Sequence, residues 1–438
     1  MRNIVLVTLD SLRADHCSFM GYHRKTTPNL DEMAEKGIYF KRAYSPSPRT
    51  LTSISSIFLG TIIQDYVDCN SMESLRENVI SNLNAKKTIG EKLSEKGYKT
   101  GAFNPNAYAS RYFGLDKGFD YFEDFFFEED KFKKFFSGGK LAEVIRNLSN
   151  LLRRKEVFLT WDRYYHRVVE WTKSVNEPFF LWIFMLDTHF PYVTPWNEIE
   201  WTNVFEMYYR NYKLYNYINK RSHPSKNEIR KMVNIYDNSI HYADKFFGRI
   251  TKDLKKFDPI YIVTSDHGEA FFEKGYFGHY FPYLYEENIH VPLVIYNLNE
   301  NNKVVSKPSS LLDLSNLIIT ISKTKDCKDV DVERIFGGKP VVAKGIGYRR
   351  RIRRYCVISN NWKYMKILRN GISEEKLYNI RNNLIVDFPK VADNLRRWLD
   401  KEMKPDKKGN EEIKRSNQEF SSQKKEIEKR LRRLGYLG

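Results

Sequence analysis

With 438 residues, 41% of them hydrophobic and 15% aromatic, the chain can bury one large core or two unequal ones without disulfide or metal staples. Its net charge of +18 points to anionic partners such as phosphorylated or sulfated substrates, nucleic acid or an acidic membrane surface, although lysine- and glutamate-rich surfaces of proteins from hot environments explain the excess equally well. Cys17, Cys69, Cys327 and Cys356 form no C-x-x-C pair, so neither a thiolate zinc site nor a disulfide framework is indicated, and no run of about 18 apolar residues offers a membrane-spanning helix.

The N-terminus passes through Met1-Arg2-Asn3 into an apolar strand, Ile4–Leu9, closed by Asp10. This stretch is too short for a signal peptide, so the expected compartment is the cytoplasm. The run from Thr27 to Gly37 has a threonine N-cap, Pro28 at the first helical position and a glycine stop, and predicts a helix that buries Met33 and Ala34. Next, a hydroxyl-rich loop, Ser45-Pro46-Ser47-Pro48-Arg49-Thr50-Leu51-Thr52-Ser53, leads into an apolar helix that stops at Gly60. Further strands are expected at 99–103, 179–185, 260–263 and 291–296. Between 228 and 257, Met232, Ile235, Ile240, Phe247, Ile250 and Leu254 recur at helical spacing, which predicts a long crossover helix feeding the 260–263 strand. Residues 125–150 and 197–226 have no sharp period and read as surface insertions that shape substrate choice.

Strands alternating with helices predict an α/β fold, with a mostly parallel central sheet covered by helices on both faces. Turn-forming polar residues around 299–308 suggest a division into a metal-dependent catalytic domain at 1–300, a smaller C-terminal α+β subdomain at 301–400 and a charged helical tail at 401–438. Within the subdomain, 355–359 and 362–368 read as a hairpin. In the tail, Ile427, Leu431 and Leu434 form a narrow apolar stripe on a basic helix.

Four segments carry chemistry. Asp10 ends the first strand, where it is either an N-cap or a metal ligand. Asp266 and His267 end a second strand and are followed by Gly268 and Glu269; two ionisable residues at a buried sheet edge are costly without a partner, so they are the strongest ligand candidates. A hydroxyl of the 45–60 loop is either a helix cap or a nucleophile sitting in the positive potential of a helix N-terminus. Asp187 and His189 follow the 179–185 strand, and His279 lies beyond His267; each histidine is either a hydrogen-bonded structural residue or a contact to substrate or metal.

Taken in order, these motifs resemble the alkaline phosphatase superfamily in its sulfatase-like branch: LVTLDSLRADH with TTPNLD, the hydroxyl loop ending in Leu59-Gly60, Asp187-x-His189-x-Pro191-Tyr192, SDHGE with a later histidine and VPLVIY, Trp362-Lys363-Tyr364 with Leu377-Tyr378-Asn379-Ile380, and the terminal LRRLGYLG. The resemblance implies cleavage or transfer of oxyacid esters through a covalent intermediate. Counted back from Gly60, the nucleophile position falls on Thr50, as in the threonine-bearing phosphodiesterases and phosphoethanolamine transferases of the superfamily. Sulfatases carry a cysteine or serine there that becomes formylglycine, which threonine cannot. Ser45 to Arg49 matches the C/S-x-P-x-R spacing, but Ser47 replaces the proline. Asp266-His267 in place of Asp-Asn brings an imidazole into the ligand set, which disfavours calcium and suits zinc or manganese.

The expected enzyme is therefore a hydrolase or transferase of phosphate mono- or diesters acting through a phosphothreonine. Asp10, Thr50, Asp266 and His267 would hold one Zn2+ or Mn2+, with Asp187 and His279 joining if a second ion binds about 4 Å away. His189 and His279 would contact the transferring group, and Arg49 would add positive charge; Thr52 is the reserve nucleophile. The expected substrates are phosphorylated or sulfated small molecules, glycans or lipid-linked esters. The first alternative is sulfate-ester hydrolysis by unmodified Ser45 or Thr50. The second is a non-catalytic protein whose Arg349–Arg354 run and basic tail bind a polyanion or an acidic membrane surface; a solvated basic face is the plainer reading of that charge, and nucleic acid is disfavoured because no nucleic-acid module is recognisable.

Overall fold

The strand Phe179–Met185 is buried at every position, as is Ile4–Leu9, the pattern of strands covered on both faces. In the computed structural model, which describes residues 1–63, 72–124, 160–220, 223–279, 282–298, 302–324, 329–347, 352–369, 372–381 and 384–402, these two strands pair in parallel, and Ile260–Ser265 pairs in parallel with the other edge of Ile4–Leu9. The registers set Leu9 opposite both Met185 and Ser265. All three strands therefore end at one level, and Asp10 and Asp266 leave the sheet side by side.

Among the described residues the sheet has eight strands, in the order Lys303–Val305, Ile38–Phe40, Leu293–Tyr296, Ile260–Ser265, Ile4–Leu9, Phe179–Met185, Lys99–Asn104 and Tyr121–Asp124. Only Leu293–Tyr296 runs against its neighbours. Side chains alternate across the strands. Ile4, Leu6 and Trp182 pack on one face against helices Thr50–Leu59, Met72–Ala85 and Asp313–Lys323, while Val5, Val7 and Ile183 pack on the other against Pro28–Glu35, Tyr165–Ser174 and Lys226–Asp253. The expected α/β architecture is present.

Local details depart from the expectation. Thr27 precedes the helix Pro28–Glu35 but does not cap it. The buried carboxylate of Asp244, on the long helix, accepts the Asn29 and Leu30 backbone N–H groups at 2.7 and 2.9 Å instead. Gly37 is needed for close approach rather than for a left-handed turn, because a Cβ there would lie 2.4 Å from the Ile295 carbonyl oxygen. The long helix, Lys226–Asp253, opens with a Ser225/Glu228 capping box. Residues 197–226 include a 17-residue helix, Val204–Lys220, that buries Met207 and Leu214. The 125–150 insertion lies outside the described residues.

The smaller unit is a five-stranded antiparallel sheet, Val341–Gly347, Ile352–Ser359, Trp362–Arg369, Ile372–Asn379 and Leu384–Ile385. The predicted hairpin is its centre, turning at Asn360 with φ of 50°. One face packs on Tyr44, Leu284 and Ile289 of the larger body, and helix Pro389–Glu402 covers the other with Leu395 and Leu399. The change of sheet falls between Phe336 and Val341, not at 299–308, because Lys303–Val305 extends the main sheet and Leu314, Leu317 and Ile318 belong to the main core. The tail stripe at Ile427, Leu431 and Leu434, together with Arg349, Arg350 and Arg351, lies outside the described residues. Among the described residues no helix is long and apolar enough to cross a membrane.

Candidate active site

Asp10, Asp266 and His267 are fully buried at the carboxyl edge of the sheet, and each offers a ligand atom within 4.8 Å of the others. The loop after the first strand turns through Ser11 at φ of 64°. Its backbone N–H then donates to Asp266 Oδ1 at 3.2 Å, and its hydroxyl donates to Asp10 Oδ1 at 2.9 Å. Asn106, on the loop after the strand Lys99–Asn104, donates through Nδ2 to Asp10 Oδ2. Asp266 Oδ1 also accepts from the His267 backbone at 2.8 Å, while Asp266 Oδ2 is buried with no hydrogen-bond partner among the described residues.

His267 Nδ1 lies 3.0 Å from the Gly268 carbonyl oxygen. That carbonyl can only accept, so Nδ1 carries the proton and the Nε2 lone pair faces the carboxylates, 3.8 Å from Asp10 Oδ1 and 3.4 Å from Asp266 Oδ2. Burial, reinforced by His279, holds the ring at about 3, so it is neutral near pH 7. Burial and then the Asp10 charge drive the Asp266 carboxyl far above its ordinary range. Two crowded carboxylates, an orphaned oxygen and a lone pair aimed at the same point make a donor set that fits a divalent cation.

Thr50 is the first residue of the helix Thr50–Leu59. Its Oγ1 lies 3.2 Å from His267 Nε2, in the positive potential of a helix N-terminus. Ser45 and Thr52 do not share this position. Ser45 Oγ rests 2.6 Å from the Ser47 carbonyl and against the Asp266 carbonyl, where it staples the loop to the sheet edge. The Thr52 hydroxyl pairs with Ser47 Oγ and with the Arg49 carbonyl oxygen at 3.2 Å.

His279 lies tilted against His267, with centroids 4.3 Å apart, and His189 lies 5.2 Å from His279. The three imidazoles thus form one wall. Burial, and then His189, keeps His279 at about 3; Arg49 lies close enough to push in the same direction. His189 directs Nδ1 to the Phe190 carbonyl oxygen. Glu269, only 1% exposed, anchors the wall: its Oε1 takes His279 Nδ1 at 2.8 Å and its Oε2 takes the Tyr192 hydroxyl at 3.1 Å.

Asp187 does not join the cluster. Its Oδ1 accepts the Trp161 backbone N–H at 3.2 Å at the start of the turn Trp161–Arg163, its Oδ2 is buried with no hydrogen-bond partner among the described residues, and it is not one of the three residues whose ligand atoms lie within 4.8 Å of one another. Burial pushes its carboxyl up to about 8. Asn106 and the pairing role of Glu269 were missed by sequence reasoning. The i, i+10 spacing of Glu269 to His279 across a short hairpin, Ala270–Phe271 with Phe277–Gly278, was the available signal for the second; Asn106 left none.

A family model described as sulfatase matches residues 2–323. The chain belongs to the sulfatase family. Among the relatives of this sulfatase-family chain, arylsulfatase K of Rattus norvegicus is 21% identical over 456 residues, covering 91% of this chain and 77% of the relative. The phosphonate monoester hydrolase of Agrobacterium radiobacter has a similar structure, with a TM-score of 0.65 and 13% identity over 92% of this chain and 96% of its own. So does a protein solved in complex with its substrate D-glucosamine-2-N,6-O-disulfate, with a TM-score of 0.61 and 16% identity over 93% and 99% of the two chains. At these identities the structural likeness is one of fold. The sulfatase-family chain is a hydrolase, and Asp10, Asp266 and His267 are its candidate divalent-metal site.

Proposed function

We propose that this protein cleaves phosphate or phosphonate esters through a covalent adduct on Thr50. The observation that carries the reading is the Thr50 hydroxyl 3.2 Å from His267 Nε2, beside two buried carboxylates and at a helix N-terminus. Asp10, Asp266, His267 and the Thr50 oxygen would hold one divalent cation, with imidazole favouring Zn2+ or Mn2+ over calcium. When bound, such an ion supplies the positive charge that lowers a hydroxyl pKa and offsets charge on an ester oxygen.

Thr50 Oγ1 loses its proton to water and attacks phosphorus in line. The new O–P bond forms as the bond to the leaving oxygen breaks. His189 and His279 face the transferring group and hydrogen-bond its oxygens, and the departing alkoxide takes up a proton from water. Arg49 adds positive charge beside them. Water then attacks the phosphothreonine, restoring the threonine hydroxyl and releasing the acid.

A second reading, sulfate-ester hydrolysis at the same threonine, draws support from the family model and from the fold neighbour solved with a disulfated sugar. Turnover of p-nitrophenyl phosphate, bis-p-nitrophenyl phosphate and p-nitrophenyl sulfate, with and without chelation and metal add-back, separates the two. Phosphate turnover should exceed sulfate turnover, and Thr50→Ala should abolish both with the fold intact. Undiminished turnover in Thr50→Ala removes Thr50 from the role, and faster sulfate cleavage selects the second reading.

A further inference from the structure

Arg354 closes the arginine run whose plainer reading is a solvated basic face, yet it is only 6% exposed. It lies opposite Gly345 in the antiparallel ladder between Ile352–Ser359 and Val341–Gly347, and residues paired in this way project to the same face. That face meets the larger body: a Cβ at Gly345 would lie 2.5 Å from the Pro282 carbonyl oxygen. The Arg354 guanidinium sits 4.4 Å from the centre of the Tyr283 ring, and its Nε is buried with no hydrogen-bond partner among the described residues. The Tyr283 ring in turn packs 4.3 Å from Tyr276 and 5.5 Å from Tyr285. Lys274 lies 5.7 Å from the Tyr285 ring. A carboxylate close enough to feel Arg354, on Glu374, is exposed and bound to Lys376 at 2.6 Å.

Two segments join this stack to the candidate active site. Tyr276 sits on the hairpin that delivers His279. The segment carrying Tyr283 and Tyr285 continues to Glu287, whose carbonyl oxygen would lie 2.3 Å from a Cβ on Gly268, the residue after His267. A buried guanidinium without an anion is costly. Its planar fork matches the oxygens of a carboxylate, sulfate or phosphate, and tyrosine faces suit the ring that bears such a group.

We propose that Arg354, flanked by Tyr283 and Tyr285, is a second anion subsite that holds a carboxylate, sulfate or phosphate remote from the ester being cleaved, so that the preferred substrate is at least doubly anionic. The word substrate rests on the ester-cleaving reading of Thr50; the subsite itself is tested without turnover. Calorimetric titration of metal-loaded Thr50→Ala protein would compare glucose 1-phosphate with three sugars altered only at C6: glucose 1,6-bisphosphate, 6-O-sulfoglucose 1-phosphate and glucuronic acid 1-phosphate. At least one charged C6 group should tighten binding roughly tenfold or more, and its identity names the oxyacid. Adding Arg354→Gln should erase that gain while leaving glucose 1-phosphate binding unchanged.

Arg354→Lys keeps the charge without the fork and should retain part of the gain. Together with unchanged circular dichroism, it guards against mistaking a misfolded glutamine variant for loss of the subsite. Equal binding of all four sugars, no binding of any, or a gain that survives Arg354→Gln would overturn the proposal. If the wild-type protein turns over no ester while the Arg354-dependent gain persists, the Thr50 chemistry falls and the subsite stands; turnover without the gain removes the subsite alone.

Discussion

Replacing Glu269 by glutamine should slow ester cleavage without emptying the metal site. In the structure Glu269 Oε1 meets His279 Nδ1 at 2.8 Å, and Oε2 meets the Tyr192 hydroxyl at 3.1 Å, with the carboxylate almost wholly buried. Glutamine can keep this shape, since its carbonyl oxygen accepts from His279 while its amide faces the tyrosine oxygen. What disappears is the charge. A hydrogen bond to a charged group is worth about 1.5–3 kcal/mol and a neutral one about 0.5–1.5 kcal/mol, so the loss of roughly 1–1.5 kcal/mol lowers kcat about 5- to 15-fold. Glu269→Ala leaves His279 Nδ1 unpaired in a buried wall, at a cost of about 2–3 kcal/mol or roughly 30- to 150-fold. Steady-state kinetics on the best ester, with metal content measured in parallel, read both numbers. Wild-type kcat in the alanine variant would refute the assignment of Glu269 as the residue that orients His279, and a parallel fall in bound metal would show that it acts on the ligand set instead.

Asn106→Ala frees one oxygen of Asp10 from its orienting bond, and metal affinity measured by chelator competition should fall about 10- to 100-fold; unchanged affinity would show that the bond is incidental. Asp187 gives a pH prediction. Burial holds its carboxyl at about 8 when folded, so between about pH 4 and pH 8 the folded state keeps a proton that the unfolded chain has lost. The contribution of Asp187 to stability is therefore fully present below the unfolded pKa and is lost as pH rises towards about 8, at up to about 1.4 kcal/mol per pH unit. Denaturant titrations at several pH values should show this slope in the wild type and its loss in Asp187→Asn; identical slopes would mean that Asp187 is ionised in the fold.

The residues that end strands were the legible part of the site. Asp10, Asp266 and His267 follow buried apolar runs, and parallel pairing brings the ends of such runs to one edge, so sequence pattern alone predicted their meeting. Thr50 was legible as a hydroxyl at a helix start and was singled out by its distance from Gly60 in the family resemblance; what spacing does not contain is the direction of its side chain, whose Oγ1 lies 3.2 Å from His267 Nε2. Asp187 misled for the same reason: it follows a strand like the others, but its carboxylate turns to the Trp161 backbone, a partner distant in sequence. The Asp244 cap on the Pro28–Glu35 helix and the Asn106 bond to Asp10 are likewise long-range. Arg354 shows the converse error, since a cluster of arginines reads as surface until the sheet that carries it is seen to pack on the larger body. The boundary was misplaced because Asn-rich turns occur wherever a strand ends, including within the main sheet.

The most direct test is anomalous diffraction at the zinc and manganese edges from crystals of the metal-loaded protein. A single strong peak at coordination distance, about 2.0–2.2 Å, from Asp10, Asp266 Oδ2 and His267 Nε2, with Thr50 Oγ1 turned towards it, is the predicted result. A peak elsewhere, or an ion whose shell excludes the side chain at position 50, would contradict the account.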